Sequence, residues 1–132
     1  MAEVGALLER LDVVHLAGTP FELPVPVLQG DGTATPTASV TDARAHVRAS
    51  VDSDVILYVF SVDDDTIELV DDGGESVVRL HVDSAETDEW QLLWPGRDGR
   101  AVVWWDLEIT TSDGAEQIIA PSTFTLYHQV TR

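Results

Sequence analysis

The chain has 132 residues, which is the size of a single domain with one hydrophobic core. Its 24 acidic residues outweigh 7 basic residues, all of them arginine, and give a formal net charge of −17. This balance argues against a nucleic-acid backbone or an anionic membrane as partner, because like charges repel. The absence of cysteine excludes disulfides, thiolate nucleophiles and cysteine-ligated metals.

The absence of lysine and asparagine is a second unusual feature of the composition. Both residues are encoded by A-rich codons, so a GC-rich genome would account for their loss. Adaptation to high salt would account for it equally, because a carboxylate-covered surface keeps a protein hydrated. Both explanations stay open.

The first segment, residues 1–18, is predicted to be an N-terminal arm or a short helix. Between Glu3 and Leu11 the apolar residues recur at helical spacing, at Val4, Leu7, Leu8 and Leu11. A strand or extended arm that starts near Leu11 is the alternative. The start of the chain shows no basic stretch followed by a long apolar one, so we expect no signal peptide and synthesis in the cytoplasm.

The segment from Phe21 to Leu28 alternates between apolar and polar positions, as a strand does. Pro24 and Pro26 have no N–H to offer a neighbouring strand, which predicts a place at the edge of a sheet. A loop rich in Gly, Thr, Ser, Ala and Pro follows, from Gln29 to Val40.

The middle and the end of the chain are predicted to be strands with one helical turn. Val55–Val62 is a continuous apolar run and is typical of a central strand covered on both faces. Ser84–Glu89 is predicted to form a single helical turn with a serine N-cap. The remaining strands are predicted at Ala43–Ala49, Ile67–Val70, Val77–Val82, Ala101–Thr110, Gln117–Ala120 and Phe124–Tyr127.

These short strands, separated by turn signals such as Asp98-Gly99 and Asp113-Gly114, predict the fold class. We expect an all-β protein: an antiparallel immunoglobulin-like β-sandwich of seven to eight strands, preceded by the short N-terminal arm or helix. The sandwich domain is predicted to cover residues 19–132.

The candidate metal ligands do not form a recognisable site. The four histidines lie in four different segments, at His15, His46, His81 and His128, and no pair has the spacing of a zinc motif. The acidic clusters fall in turns, and none matches the calcium loop with alternating ligands and a closing glutamate. We therefore expect no metal and no cofactor, although loop carboxylates leave a divalent ion open as an alternative.

Catalytic motifs are absent from the sequence as well. There is no G-x-S-x-G elbow and no glycine-rich phosphate loop, and no two of the 24 acids stand out as a glycosidase pair. We expect the chain not to be an enzyme.

The tryptophans suggest an interaction surface. Trp105 is in phase with the apolar positions of its strand and is predicted to lie in the core, which turns Trp104 outward. Trp90 and Trp94 flank an apolar pair beside a turn. A large aromatic ring on an acidic surface favours a subunit interface, so the predicted interface residues are Trp90, Trp94, Trp104 and the terminal Arg132. Coverage of Trp104 by local loops or by the N-terminal segment is the alternative.

An ordered series of short motifs resembles a known family. The motifs are Ala43-Arg44-Ala45-His46-Val47-Arg48, Ser84-Ala85-Glu86-Thr87, Trp105-Asp106-Leu107-Glu108-Ile109, Asp113-Gly114 and Val130-Thr131-Arg132. In this order the sequence resembles small immunoglobulin-like β-sandwich proteins of tailed phages and prophages, similar to the N-terminal domain of phage baseplate upper proteins. It departs from the family pattern at Pro121-Ser122, where a glycine is usual, and in the longer segment Trp90–Arg100.

The resemblance implies a structural role without an active site. The expected function is that of a virion subunit or adaptor in the tail, in the baseplate or on the capsid surface. The expected partners are other virion proteins and copies of the chain itself, with no nucleic acid and no membrane insertion. The alternative is a stand-alone carbohydrate-binding module, with or without calcium, in which a sugar would stack on Trp104.

Overall fold

Strands alternate with short turns in the computed structural model, which describes residues 10–27, 40–73, 75–111 and 114–128. The described strands are β1 (Val13–Leu16), β2 (Phe21–Pro26), β3 (Val40–Arg48), β4 (Ile56–Ser61), β5 (Ile67–Asp72), β6 (Glu75–Val82), β7 (Arg100–Thr111) and β8 (Gly114–Tyr127). One helix, α1 (Ser84–Leu93), connects β6 to β7.

The strands form two sheets that share one apolar core. Five strands pair in the order β1-β8-β7-β3-β4 and three pair in the order β2-β6-β5. The all-β sandwich is confirmed. In the immunoglobulin scheme β2, β6 and β5 take the places of strands B, E and D, and β8, β7, β3 and β4 those of G, F, C and C′. The pairing is antiparallel except that β1 runs parallel to β8, so the larger sheet is mixed.

The alternation predicted for β7 is confirmed. Val103, Trp105, Leu107 and Ile109 are buried between the sheets, while the residues between them point outward. The predicted edge position of the proline-containing strand is confirmed too, since β2 is an outer strand of the three-stranded sheet.

The prediction of a central strand at Val55–Val62 is wrong. β4 is the outer strand of the five-stranded sheet, and Val55 and Ile56 at its start are exposed. The run is apolar for another reason: Tyr58 and Phe60 point into the core, while the apolar residues between them lie on the other side of the strand.

The helix is longer than the single turn that the sequence predicts, and its cap is a different residue. Asp83 is the N-cap, and its side chain accepts a hydrogen bond from the Glu86 N–H at 2.9 Å. The helix then continues over ten residues to Leu93. No helix among the described residues is long and apolar enough to span a bilayer.

The two ends of the chain meet beside each other in the five-stranded sheet. β8 is one long strand where the sequence predicts two, and irregular pairing with β7 near Leu107 accommodates the Pro121-Ser122 segment. Val13–Leu16, which the sequence assigns to the N-terminal arm, pairs with Phe124–Tyr127. The helix predicted from Glu3 lies mostly in residues 1–9, outside the described residues.

Thr87 joins α1 to the turn between β1 and β2. Its side chain is fully buried; the hydroxyl donates to the Thr19 carbonyl at 2.7 Å and accepts from the Gly18 N–H at 3.0 Å. A buried hydroxyl with both functions satisfied fixes the helix against the start of β2.

We expect Thr87→Val to lower the free energy of unfolding by about 1–3 kcal/mol, because it removes both hydrogen bonds without changing the side-chain volume much. Urea denaturation measures the change. Thr41→Val is the matched control, since the Thr41 hydroxyl donates to the Thr110 carbonyl at an exposed site. Equal effects of the two substitutions would contradict the role given to Thr87.

Candidate functional site

The outward side chains of the five-stranded sheet form a surface that we call the outer face. Because side chains alternate along a strand, the burial of Val103 and Trp105 turns Val102 and Trp104 outward. The strand register arranges the outward residues in rows: Trp104 beside Arg48 and Thr123, Val102 beside Thr125 and Val14, and Arg100 beside Tyr127 and Leu16.

Four exposed apolar residues lie together at one end of the outer face. This apolar corner consists of Val14, Leu16, Val102 and Tyr127, whose exposed fractions are 68%, 46%, 46% and 43%. They occupy two neighbouring rows on β1, β8 and β7. A contiguous apolar group on the surface of an acidic protein marks a contact site for another molecule.

Trp104 lies on the outer face, as predicted, but it is half-buried. The guanidinium carbon of Arg10 lies 5.5 Å from the centre of its ring, in a cation–π arrangement. The N-terminal segment therefore covers part of the ring, which is the alternative that the sequence left open.

Hydrogen bonds to β7 and β8 hold that segment in place. The Leu11 N–H donates to the Ser122 hydroxyl at 2.8 Å, and the Leu11 carbonyl accepts from the indole N–H of Trp105 at 2.9 Å. The Asp12 carboxylate accepts from the Thr123 N–H at 2.9 Å, and this bond lowers the pKa of Asp12. These contacts place Arg10 over the sheet.

The outer face is electrically balanced, unlike the whole chain. The described charged side chains on it or beside it are those of Arg10, Arg44, Arg48, Arg100, Asp12, Asp42, Asp106 and Glu108. Four positive and four negative charges sum to zero, in a chain with a net charge of −17. The outer face therefore lacks the repulsion that the rest of the chain offers to an acidic partner.

The central strands β3 and β7 carry these charges as opposite columns. Arg44 pairs in register with Glu108, and His46 with Asp106. The Arg48 guanidinium lies 3.5 Å from the Asp106 carboxylate. Burial lowers the pKa of His46, the cationic Arg48 and Arg44 lower it further, and the carboxylate of Asp106 opposes them.

The predicted interface role of Trp90 and Trp94 has to be corrected. Both rings are buried, with exposed fractions of 1% and 4%, and they stack with their centroids 4.5 Å apart. Trp90 lies under α1 and contacts Phe124 in the core. Of the four predicted interface residues, Trp104 is at the surface, and Arg132 lies outside the described residues.

The candidate metal ligands are not brought together. Among the described residues, no three or more His, Asp or Glu side chains are arranged to hold a metal ion. Asp64, in the acidic turn after β4, accepts a hydrogen bond from the Ser61 hydroxyl at 3.0 Å. The His15 ring is engaged with the carbonyl of Thr19 at 2.9 Å.

Comparisons with known proteins add no functional information. No protein-family model matches the chain, and no curated protein matches it. One similar solved structure is the crystal structure of an engineered protein, with 14% identity and a TM-score of 0.39. The match covers 90% of this chain and 18% of the engineered protein.

The apolar corner is the part of the site that the sequence reasoning missed. Two signals could have identified it. Val102 has the same phase as Trp104, so the argument that turns Trp104 outward also turns Val102 outward. The β1 segment alternates in the same way, but four residues are too few to show in a sequence pattern which side is buried.

Proposed function

We propose that this chain is a non-enzymatic structural subunit of a tailed-virus particle, which acts through protein–protein contacts on its outer face. Its place would be in the tail, in the baseplate or on the capsid surface. The resemblance of the sequence to small sandwich proteins of tailed phages supports the virus, and the apolar corner supports the mode of action.

The observation that carries the proposal is the grouping of Val14, Leu16, Val102 and Tyr127. Isolated apolar residues are common on protein surfaces and need no partner. Here four of them share adjacent rows, beside a half-buried tryptophan and on the face where the charges balance. Aromatic residues and arginine are enriched in protein interfaces, and both occur on this face.

Sugar binding, the other function considered from the sequence, has less support. Carbohydrate modules present open aromatic rings, whereas Arg10 covers part of Trp104. The predicted calcium alternative also has no group of ligands among the described residues.

The proposal is tested with Val102→Asp, which places a carboxylate in the apolar corner at an exposed position. We expect the variant to fold normally and its incorporation into particles to fall by about tenfold or more, because a partner would have to bury an unpaired charge. Quantitative mass spectrometry of purified particles measures the incorporated fraction.

Val70→Asp is the matched control, because Val70 points outward on the opposite sheet. It should leave incorporation close to that of the unmodified chain. Unchanged incorporation of Val102→Asp would contradict the proposal, as would specific glycan binding by the purified chain that is lost on Trp104→Ala.

A further inference from the structure

We infer that the outer face pairs with the outer face of a second copy of this chain, about a two-fold axis that runs along the strands between β3 and β7. The inference rests on the proposed function in one respect: it names a partner for the same face. It follows from the charge pattern of the two central strands.

The charges on β3 and β7 are sorted by strand. β3 presents Arg44 and His46, and β7 presents Glu108 and Asp106 in the same two rows. Such pairs stabilise a sheet from within when they touch. Among the described residues, however, the ion pair found here is the diagonal one between Arg48 and Asp106, and no carboxylate lies within ion-pair distance of Arg44.

A two-fold axis parallel to the strands exchanges the two columns and keeps the rows. When a second copy is placed face to face, its β7 lies over β3 of the first copy, and its β3 over β7. Arg44 then faces Glu108 of the second copy, and His46 faces Asp106 of the second copy. Each contact occurs twice, as symmetry requires. Packed sheets are about 10 Å apart, which long side chains from both surfaces can bridge.

The next row fits the same arrangement. Arg48 pairs in register with Trp104, so the axis brings Arg48 towards Trp104 of the second copy. Guanidinium groups pack well on indole rings, and Arg10 already makes this contact within the chain. All three rows are therefore self-complementary.

The charge pattern also selects this axis over the other simple choice. An axis across the strands would place β7 over β7 and set Asp106 against Asp106 of the second copy. Like charges opposed in this way strongly disfavour association. Because each copy carries −17, approach through faces other than the balanced one is also opposed.

The arrangement leaves the apolar corner partly open. In a face-to-face pair β8 lies over β4 of the second copy, while β1, at the other edge of the sheet, lies beyond it. Val14 and Leu16 thus remain accessible. A dimer formed in this way could still use the apolar corner to contact a different protein of the particle.

A charge-exchange experiment on the full chain tests the inference. We expect the unmodified chain to sediment as a dimer at concentrations on the order of 10 μM. In a dimer of Arg44→Glu two carboxylates oppose each other at both symmetric contacts, and in a dimer of Glu108→Arg two guanidinium groups do so. Each variant alone should dimerise roughly 100-fold more weakly, at about tenfold for each unfavourable contact.

Mixing the two variants separates contacts between chains from contacts within a chain. In the mixed pair the carboxylate introduced at position 44 of one copy faces the guanidinium introduced at position 108 of the other, and the unmodified Glu108 and Arg44 face each other. Heterodimers should therefore form with nearly the original affinity. The unfavourable pair within each chain is unchanged by mixing, so restored association can arise only across the interface.

Arg97→Glu is the control, with the same change of charge at an exposed loop position; it should leave the sedimentation unchanged. The inference is wrong if the unmodified chain stays monomeric at millimolar concentration, if the mixture does not associate, or if Arg97→Glu weakens the dimer as much as Arg44→Glu. A monomer that still enters particles would refute only this inference. A dimer that is absent from particles would refute only the proposed function.

Discussion

Replacing Trp90 by alanine is expected to lower the free energy of unfolding by about 3–5 kcal/mol, as for other large aromatic residues in a core. The ring is 1% exposed and packs edge-on against Phe21, Tyr58 and Phe124, with Trp94 stacked on it. These partners come from both sheets and from the end of α1. The loss would therefore open a cavity where the helix meets the sandwich.

Urea denaturation followed by far-UV circular dichroism measures this loss. Leu92→Ala is the matched control, because Leu92 lies on the same helix with 78% of its surface exposed. It should change the unfolding free energy by no more than about 0.5 kcal/mol. A loss below about 1 kcal/mol for Trp90→Ala, the typical effect of an ordinary substitution, would show that α1 does not close the core as described.

The neighbouring residues Trp104 and Trp105 are expected to differ sharply. Trp105→Ala should cost about 3–5 kcal/mol, because it empties a buried site and removes the bond from the indole N–H to the Leu11 carbonyl. Trp104→Ala should cost about 1 kcal/mol, since it removes a half-buried ring and its cation–π contact with Arg10.

The same denaturation series measures both variants, and the comparison is internally controlled because the residues are adjacent in one strand. If Trp104→Ala proves as destabilising as Trp105→Ala, Trp104 is a core residue, and the outer face as described does not exist. Dimerisation should be weakened by Trp104→Ala even where its stability is close to that of the unmodified chain.

The parts of the fold that were predictable from sequence are those with a strong alternation. In β7 the residues from Val102 to Thr110 alternate through nine positions, so their buried and outward sides could be assigned from the pattern alone. The two prolines of β2 placed it at an edge by chemistry alone, because proline cannot donate to a neighbouring strand.

The parts that failed depend on contacts distant in sequence. The apolar run of β4 suggested coverage on both faces, but which strand lies next to it is decided by the whole sheet. Trp90 and Trp94 were assigned to the surface because no alternation surrounds them. Their burial depends on a ten-residue helix that folds them under its end.

The candidate site was half predictable for the same reason. The phase of β7 turned Trp104 outward, but Arg10 covers it only because Leu11 and Asp12 are bonded to β7 and β8. The parallel pairing of β1 with β8, which completes the apolar corner, joins segments more than 100 residues apart. No local pattern in the sequence encodes that pairing.

The net charge of −17 takes on a more specific meaning once the residues are placed. Most of the acids lie away from the outer face, in turns and on α1, where they keep copies of the chain apart. The outer face is balanced by the arginines on β3 and β7. The charge therefore favours approach through one surface over the others.

Oxidative footprinting of the chain in purified particles, compared with the free chain, tests the central claim most directly. We predict strong protection of Val14, Leu16 and Tyr127 in the particle, and unchanged reactivity of His81 on the outward side of the other sheet. Protection of His81 with full reactivity of the apolar corner would contradict the account, as would the absence of the chain from the particles.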